Sequence, residues 1–150
     1  MYRKILVTLE NGRADATLVP HVARLDIGVG AELLLLHVAD GWAARNFDQL
    51  KLAESEEMRA DHVYLEKTAA GLKAQGLQVQ TLLALGNPPT EIVKIAVSSG
   101  CDLIAMASHG HKLIGDILHG STIDKVRHNT SVPLLVVRAG AENPTVPGRA

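Results

Sequence analysis

The sequence has few aromatic residues, and this shortage limits how its core can be built. Aromatic residues make up 3% of the 150-residue chain, whereas hydrophobic residues as a whole make up 47%. The core must therefore consist of Leu, Val, Ile and Ala, a composition typical of helices packed on a buried parallel sheet. A chain of this length is expected to form one hydrophobic core.

Neither sign of charge is in excess, and cysteine is nearly absent. With 15 basic and 16 acidic residues the formal net charge is −1, so we expect no nucleic-acid partner and no anionic membrane surface. The lone Cys101 cannot form an internal disulfide. No apolar run approaches the roughly 20 residues of a membrane span, and the N-terminus shows no leader-like segment. These features predict a cytoplasmic protein with no membrane span.

Five short apolar runs predict the strands of a sheet. Each is rich in Leu, Ile and Val without strict polar alternation, as expected for strands that are covered on both faces. The predicted strands are Lys4 to Leu9, Glu32 to Val38, Val79 to Leu85, Asp102 to Ala107 and Val132 to Arg138.

Four stretches between these strands have helical spacing. The first predicted helix runs from Ala14 to Ile27 and is closed by Gly28 and Gly30, and the second is a long helix that ends near Gly76. The third runs from Asn87-Pro88 to Gly100, and the fourth from Gly120-Ser121 to about Asn129. Alternating strands and helices with right-handed crossovers predict a single doubly wound, Rossmann-like α/β domain over residues 1–140. Residues 141–150, which contain Pro147 and Gly148, are predicted to form a flexible tail.

In such a sheet, ligands bind outside the carboxyl ends of the strands, where the strand order reverses. This rule selects the loops that follow the first, second and fourth predicted strands. The fourth loop is the most informative, because Gly110 and Gly120 bracket nine residues and Ser121 and Thr122 follow at a predicted helix start. A helix N-terminus with free N–H groups and nearby hydroxyls favours a phosphate. Ser121 is equally explained as an ordinary N-cap, with Asp124 three residues on as in a capping box.

Several segments of the chain resemble the universal stress protein family. They are Tyr2 to Val7, Leu34 to Val38, Gly86 followed by Glu91 to Ala96, Asp102 to Gly110, Gly120-Ser121 and Val132 to Arg138. The resemblance therefore extends from Tyr2 to Arg138. It implies a five-stranded parallel sheet of strand order 3-2-1-4-5 with helices on both faces.

Nucleotide-binding members of that family carry a glycine, two residues, a second glycine, nine residues, then glycine and Ser or Thr. The last three positions match Gly110, Gly120 and Ser121, whereas Ala107 stands at the first glycine and Glu10 where the family usually has Asp. The resemblance implies ATP or another adenine nucleotide as ligand, with or without Mg²⁺. The residues implied in binding are Thr8, Leu9, Glu10, Val38, Met106, Ala107, His109, Gly110, Gly120, Ser121 and Thr122.

Motifs of the common catalytic classes are missing. The sequence has no G-x-x-x-x-G-K-[ST], no G-x-G-x-x-G after a strand and no G-x-S-x-G elbow. Its seven histidines lack the Cys pairing or helical i, i+4 spacing of zinc sites, so we predict no metal site. Together with the family resemblance, these absences lead us to expect a regulatory protein of the stress response, with at most slow, incidental ATP hydrolysis.

Two functional hypotheses follow from the sequence. In the first, an adenine nucleotide changes the fit for a protein partner. In the alternative, the chain is a nucleotide-free interaction module that works as a dimer. In both, the apolar strand from Val132 to Val137 is expected at a sheet edge, where the family resemblance implies pairing into a homodimer.

Overall fold

The computed structural model describes residues 1–25, 29–40, 47–109 and 116–139, with the side chains at 40, 47–55 and 116–121 left out. This part of the chain contains five strands that alternate with four helices. In chain order they are β1 (Lys4–Thr8), α1 (Asp15–Ala23), β2 (Glu32–Asp40), α2 (Phe47–Ala74), β3 (Gln78–Gly86), α3 (Pro88–Ser98), β4 (Leu103–His109), α4 (Asp116–Asn129) and β5 (Leu134–Ala139). The predicted tail at 141–150, Gly28 and Gly110 lie outside the described residues.

The sheet has the order β3-β2-β1-β4-β5, and every neighbouring pair is parallel. The predicted order 3-2-1-4-5 and the doubly wound α/β fold are thus confirmed. β1 is central, since Ile5 is in register with Leu33 of β2 and with Leu103 of β4. The chain reverses its direction of winding between β1 and β4, which leaves a crevice at their carboxyl ends.

Both faces of the sheet are buried, because alternate strand residues point to opposite sides. On one face Ile5 and Val7 pack with Leu18 of α1 and Leu65 of α2. The opposite face carries a second apolar cluster. There Leu6 and Ile104 pack with Ile92 of α3 and Val126 of α4. This double coverage explains why the strands are apolar without polar alternation.

Two helix boundaries differ from those predicted. α1 ends at Ala23 rather than at Ile27, because the last turn tightens: Arg24 N–H bonds to the carbonyl of His21, three residues back. The second difference concerns α4, which begins at Asp116 and not at Gly120-Ser121. Its end at Asn129 agrees with the prediction.

The start of α3 follows its sequence signal. The side chain of Asn87 accepts a hydrogen bond from the N–H of Thr90 at 3.4 Å, and Pro88 occupies the first helical position. These are the N-cap and first-turn proline that Asn87-Pro88 predicted. Within the described residues, no helix is both long and apolar enough to cross a membrane.

Candidate functional site

A cavity of about 220 Å³ opens at the carboxyl ends of the central strands. It lies between the sheet and the helices α3 and α4, where the strand order reverses. Its lining residues come from the ends of β1, β2 and β4 and from the first two turns of α3 and α4. They are Thr8, Leu9, Glu10, Leu36, His37, Val38, Pro88, Ile92, Met106, Ala107, Thr122 and Ile123.

The structure brings most of the sequence-predicted site residues together at this cavity. Those that line it are Thr8, Leu9, Glu10, Val38, Met106, Ala107 and Thr122. His109 reaches the same edge through a contact with Glu10. Gly110 lies outside the described residues, and Gly120 and Ser121 belong to α4, where their side chains are not described. The grouping matches the prediction that the loops after β1, β2 and β4 meet.

Five lining residues were not among the predicted ones: Leu36, His37, Pro88, Ile92 and Ile123. Leu36 and His37 are the residues just before Val38 in β2, so they follow from the same strand end. Pro88 and Ile92 come from α3, which follows an edge strand that the switch-point rule does not select. They line the cavity because α3 packs over the central strands, and this contact is visible only in the folded structure.

The inner wall of the cavity is apolar. Leu36 is fully buried and Met106 nearly so, and Ile92 covers them from α3. The hydroxyl of Thr8 donates to the carbonyl of Ala105 at 3.4 Å, so it is turned toward β4. Apolar walls of this kind suit the flat face of a heteroaromatic ring, with backbone groups left to bind its polar edge.

Ala107 stands where the resemblance expects a glycine, but its methyl group belongs to the far side of the sheet. Ala107 is 7% exposed and packs in the apolar cluster of the α1 and α2 face, together with Ala105 and Ala139. Met106, its neighbour along β4, belongs to the face of α3 and α4, where the cavity lies. The extra methyl is therefore accommodated by the core.

Glu10 and His109 join the loop after β1 to the end of β4. Oε2 of Glu10 lies 2.8 Å from Nε2 of His109, and both side chains are about one third exposed. The pair is a hydrogen bond when the imidazole is neutral and an ion pair when it is protonated. Among the described residues, no group of three or more His, Cys, Asp or Glu side chains is arranged to hold a metal ion.

The loop after β1 is held by a buried carboxylate. Asp15 is 3% exposed, and its two oxygens accept the backbone N–H groups of Glu10 at 3.0 Å and Asn11 at 2.9 Å. Tyr64 of α2 donates its hydroxyl to the same carboxylate at 2.6 Å. Burial and then this hydrogen bond raise the pKa of Tyr64 well above its ordinary range. Asn11 has a positive φ of 58°, a conformation that Asn tolerates better than most residues.

A second contact from α2 reaches the cavity wall through His37. Nδ1 of His37 lies 2.8 Å from the carbonyl oxygen of Leu9, and Nε2 lies 3.3 Å from Oδ2 of Asp61. The other oxygen of Asp61 accepts a hydrogen bond from the side-chain amide of Asn11 at 2.9 Å. The backbone N–H of Leu9 in turn bonds to the carbonyl of Leu36 at 2.7 Å. Leu9 is thus fixed at both its amide and its carbonyl.

The earlier start of α4 changes the role of the Gly120-Ser121 step. Because the helix begins at Asp116, Gly120 and Ser121 lie beyond its first four residues, whose N–H groups lack partners inside the helix. Ser121 is therefore not the N-cap, and the predicted capping box with Asp124 is wrong. The second turn of the helix instead brings Thr122 and Ile123 to the cavity.

Comparison with known proteins agrees with the fold. The profile of the universal stress protein family matches residues 1–138. A universal stress protein of Methanocaldococcus jannaschii is 29% identical over 158 residues, covering 92% of this chain and 96% of its own. A universal stress protein of Bacillus subtilis is 27% identical over 148 residues, covering 92% and 100%.

Solved structures give the same result. The structure of the M. jannaschii protein has a TM-score of 0.80 and covers 95% of this chain and 99% of its own, at 29% identity. A universal stress protein in complex with cAMP has a TM-score of 0.68 at 17% identity, covering 93% and 98%. The family profile spans nearly the whole chain, from β1 through β5, and the chain belongs to the universal stress protein family.

Proposed function

We propose that this protein is a stress-response regulator that binds ATP or a related adenine nucleotide in the cavity between β1, β2 and β4. The observation that carries the proposal is the apolar cavity at the switch point, which seven of the predicted binding residues line. Two relatives of the same fold are described in complex with cAMP and with dAMP. Their ligands share an adenine base with the one proposed here.

The lining residues divide the proposed site into two parts. We assign the base to the apolar side, between Leu9 and Val38, where the backbone of Val38 would bind its polar edge. The phosphates would extend toward α4, where Thr122 lines the cavity. Gly110, Gly120 and Ser121 remain predicted phosphate contacts.

Slow or no hydrolysis fits the chemistry of the lining. Efficient phosphoryl transfer requires a residue that orients the attacking water, and usually a bound metal ion. Glu10 is the one carboxylate among the described lining residues, and it is engaged with His109. We therefore propose that the bound nucleotide acts by changing dimer or partner contacts, and that its hydrolysis is not required.

The direct test is to identify what the purified protein carries and what it binds. We expect denatured protein to release adenine nucleotide, and calorimetry with ATP and AMP to show saturable binding that GTP does not match. Absence of binding at millimolar nucleotide would instead support the alternative, a nucleotide-free dimeric interaction module. The engaged state of Glu10 is the observation that favours this alternative.

The place of the phosphates is tested at Thr122. Thr122→Val removes the hydroxyl and keeps the shape of the side chain, so we expect ATP affinity to fall about three- to tenfold, as for one lost hydrogen bond. Thr17→Val is the matched control, because Thr17 is also a helical threonine but lies in α1, on the opposite face of the sheet. Equal ATP affinity in the two folded variants would remove Thr122 from the site.

A further inference from the structure

Two residues of α2, one turn apart, contact the loop that forms a wall of the cavity. Asp61 and Tyr64 do not line the cavity themselves. Tyr64 acts through Asp15, whose carboxylate holds the N–H groups of Glu10 and Asn11. Asp61 acts through the side chain of Asn11 and through His37, which holds the carbonyl of Leu9. Leu9, Glu10 and Asn11 are thus each connected to α2 through hydrogen-bonded side chains.

The Tyr64 contact is well suited to fixing backbone geometry. A carboxylate that accepts three donors in a nearly dry environment is strongly ordered, since leaving any one donor unpaired there is costly. The positive φ of Asn11 lies in the same loop, in a region that is uncommon outside glycine but that Asn enters more readily than most residues. Loss of the Tyr64 hydroxyl removes one of the three donors without removing the ring.

The Asp61 contact depends on the protonation of His37. A carbonyl oxygen and a carboxylate both accept hydrogen bonds, and they face the two ring nitrogens of His37. Only the imidazolium form donates at both nitrogens. A neutral ring that keeps its bond to Leu9 turns a lone pair toward Asp61, so the contact between α2 and β2 weakens as the proton is lost.

We propose that α2 positions the cavity wall through Tyr64 and Asp61, and that nucleotide affinity therefore depends on these two residues although neither touches the nucleotide. The proposal rests on the proposed function for its ligand. It assigns the two residues a positioning role. It also makes nucleotide affinity depend on the protonation state of His37: affinity is higher when the ring is protonated and lower when it is neutral.

Among the charged groups near His37, Asp61 is the one that determines how the contact with α2 responds to the protonation of the ring. Asp61 is the carboxylate in contact with the ring, from α2. Glu10, which follows Leu9 in the loop, is paired with His109, and Asp15 is paired with Tyr64. On the other side, β3 places the uncharged Leu83 in register with His37. Asp61→Asn therefore removes the carboxylate charge that faces this ring.

The first experiment needs no nucleotide. Hydrogen exchange of the Glu10 and Asn11 amides is compared between Tyr64→Phe and Tyr2→Phe, since Tyr2 is the other tyrosine of the chain and has no part in the loop. We expect exchange about tenfold faster in the folded Tyr64→Phe protein only, as for a weakened hydrogen bond to a carboxylate. Equal exchange in the two variants would overturn the positioning role.

The second experiment measures ATP affinity by calorimetry at pH 6 and pH 8. We expect the wild type to bind about fivefold more weakly at pH 8, a coupling of ordinary size, and Asp61→Asn to show nearly the same affinity at both. Glu57→Gln, an exposed carboxylate on the same helix, should keep the wild-type profile. A pH dependence that survives Asp61→Asn contradicts the proposal. If the wild type binds no ATP at either pH, the proposed function fails, and the exchange experiment still decides whether α2 fixes the loop.

Discussion

At the scale of single residues, Ala107 is the most informative departure from the family pattern. In the sequence it places a methyl group where the family motif has a glycine. In the fold this methyl packs against the α1 and α2 side, whereas the cavity lies on the other side of the sheet. Sequence spacing could not show this, because the direction of a strand side chain depends on the register of the strand.

Ala107→Gly should therefore change stability more than binding. The variant loses one buried methyl group, worth about 0.8 kcal/mol, and gains the backbone freedom of glycine in a strand, worth about 0.5–1 kcal/mol. We expect the free energy of unfolding, measured with urea, to fall by about 1–2 kcal/mol. The ATP affinity should change by less than a factor of about three. A tenfold gain in affinity at unchanged stability would show that the methyl obstructs the site.

Asp15 is the residue that sequence reasoning missed most completely. It was predicted only as part of an amphipathic helix, yet it is the buried carboxylate that orders the loop after β1. An acidic residue in the first turn of a helix is common, and nothing near it in the sequence indicates a partner. The partner, Tyr64, lies on α2 and reaches Asp15 only after the chain has folded.

At the scale of elements, Asp102 fixes the start of the β1–β4 pair, whose far ends form the cavity. Its carboxylate accepts the N–H groups of Arg3 at 2.8 Å and Lys4 at 3.0 Å, and its own N–H bonds to the carbonyl of Lys4. Burial alone would raise the pKa of Asp102. The backbone hydrogen bonds more than offset burial, so the pKa lies below its ordinary value.

Asp102→Asn is expected to lower the free energy of unfolding by about 1.5–3 kcal/mol at pH 7, the usual range for hydrogen bonds to a charged group. Because the folded-state pKa of Asp102 is lowered, its contribution is fully present above the ordinary Asp value of about 3.9 and is lost as the pH falls through the folded value. The difference between wild type and variant should therefore shrink below about pH 4. Urea unfolding across this range measures it.

Asp124→Asn serves as the control for that measurement. Asp124 is an exposed carboxylate on α4 whose ion pair with Arg127 has both side chains about two thirds exposed. Exposed pairs of this kind contribute little. If the two variants lost stability equally and with the same pH profile, the anchoring role of Asp102 would be wrong.

The strands were more predictable than the helices, and α1 and α4 show why. Runs of Leu, Ile and Val mark strands that are covered by helices on both faces of the sheet. These runs predicted all five strands to within two residues of their observed bounds. Gly120-Ser121-Thr122 carries the residue types of a helix start, but α4 begins four residues earlier. Residue types that favour a helix start are a weak local signal, and here they did not fix where α4 begins.

At the scale of the whole molecule, the order of the sheet leaves β3 and β5 at its two edges. Val136 of β5 is 44% exposed and Leu82 of β3 is 39% exposed, so both edges carry apolar side chains. Edge strands of this kind are commonly paired or covered. We predict that β5 pairs across a two-fold axis in a homodimer, as the family resemblance implied.

Val136→Lys should convert this dimer to a monomer, because two buried lysines would face each other near the axis. We expect light scattering at micromolar concentration to give twice the chain mass for the wild type and the chain mass for the variant. Leu82→Lys places the same charge on the opposite edge and should leave the dimer intact. A monomeric wild type, or dissociation by Leu82→Lys alone, would contradict the pairing through β5.

The central position of β1 also affects how the protein is made. Ile5 pairs first with Leu33 and, much later in the chain, with Leu103. During synthesis, β1, β2 and β3 leave the ribosome before β4 and α4 exist, and domains tend to fold from the N-terminus as they emerge. Met106 and Thr122, which complete the cavity, arrive last. A ligand that contacts both halves of this cavity therefore acts only after β4 and α4 have been synthesised.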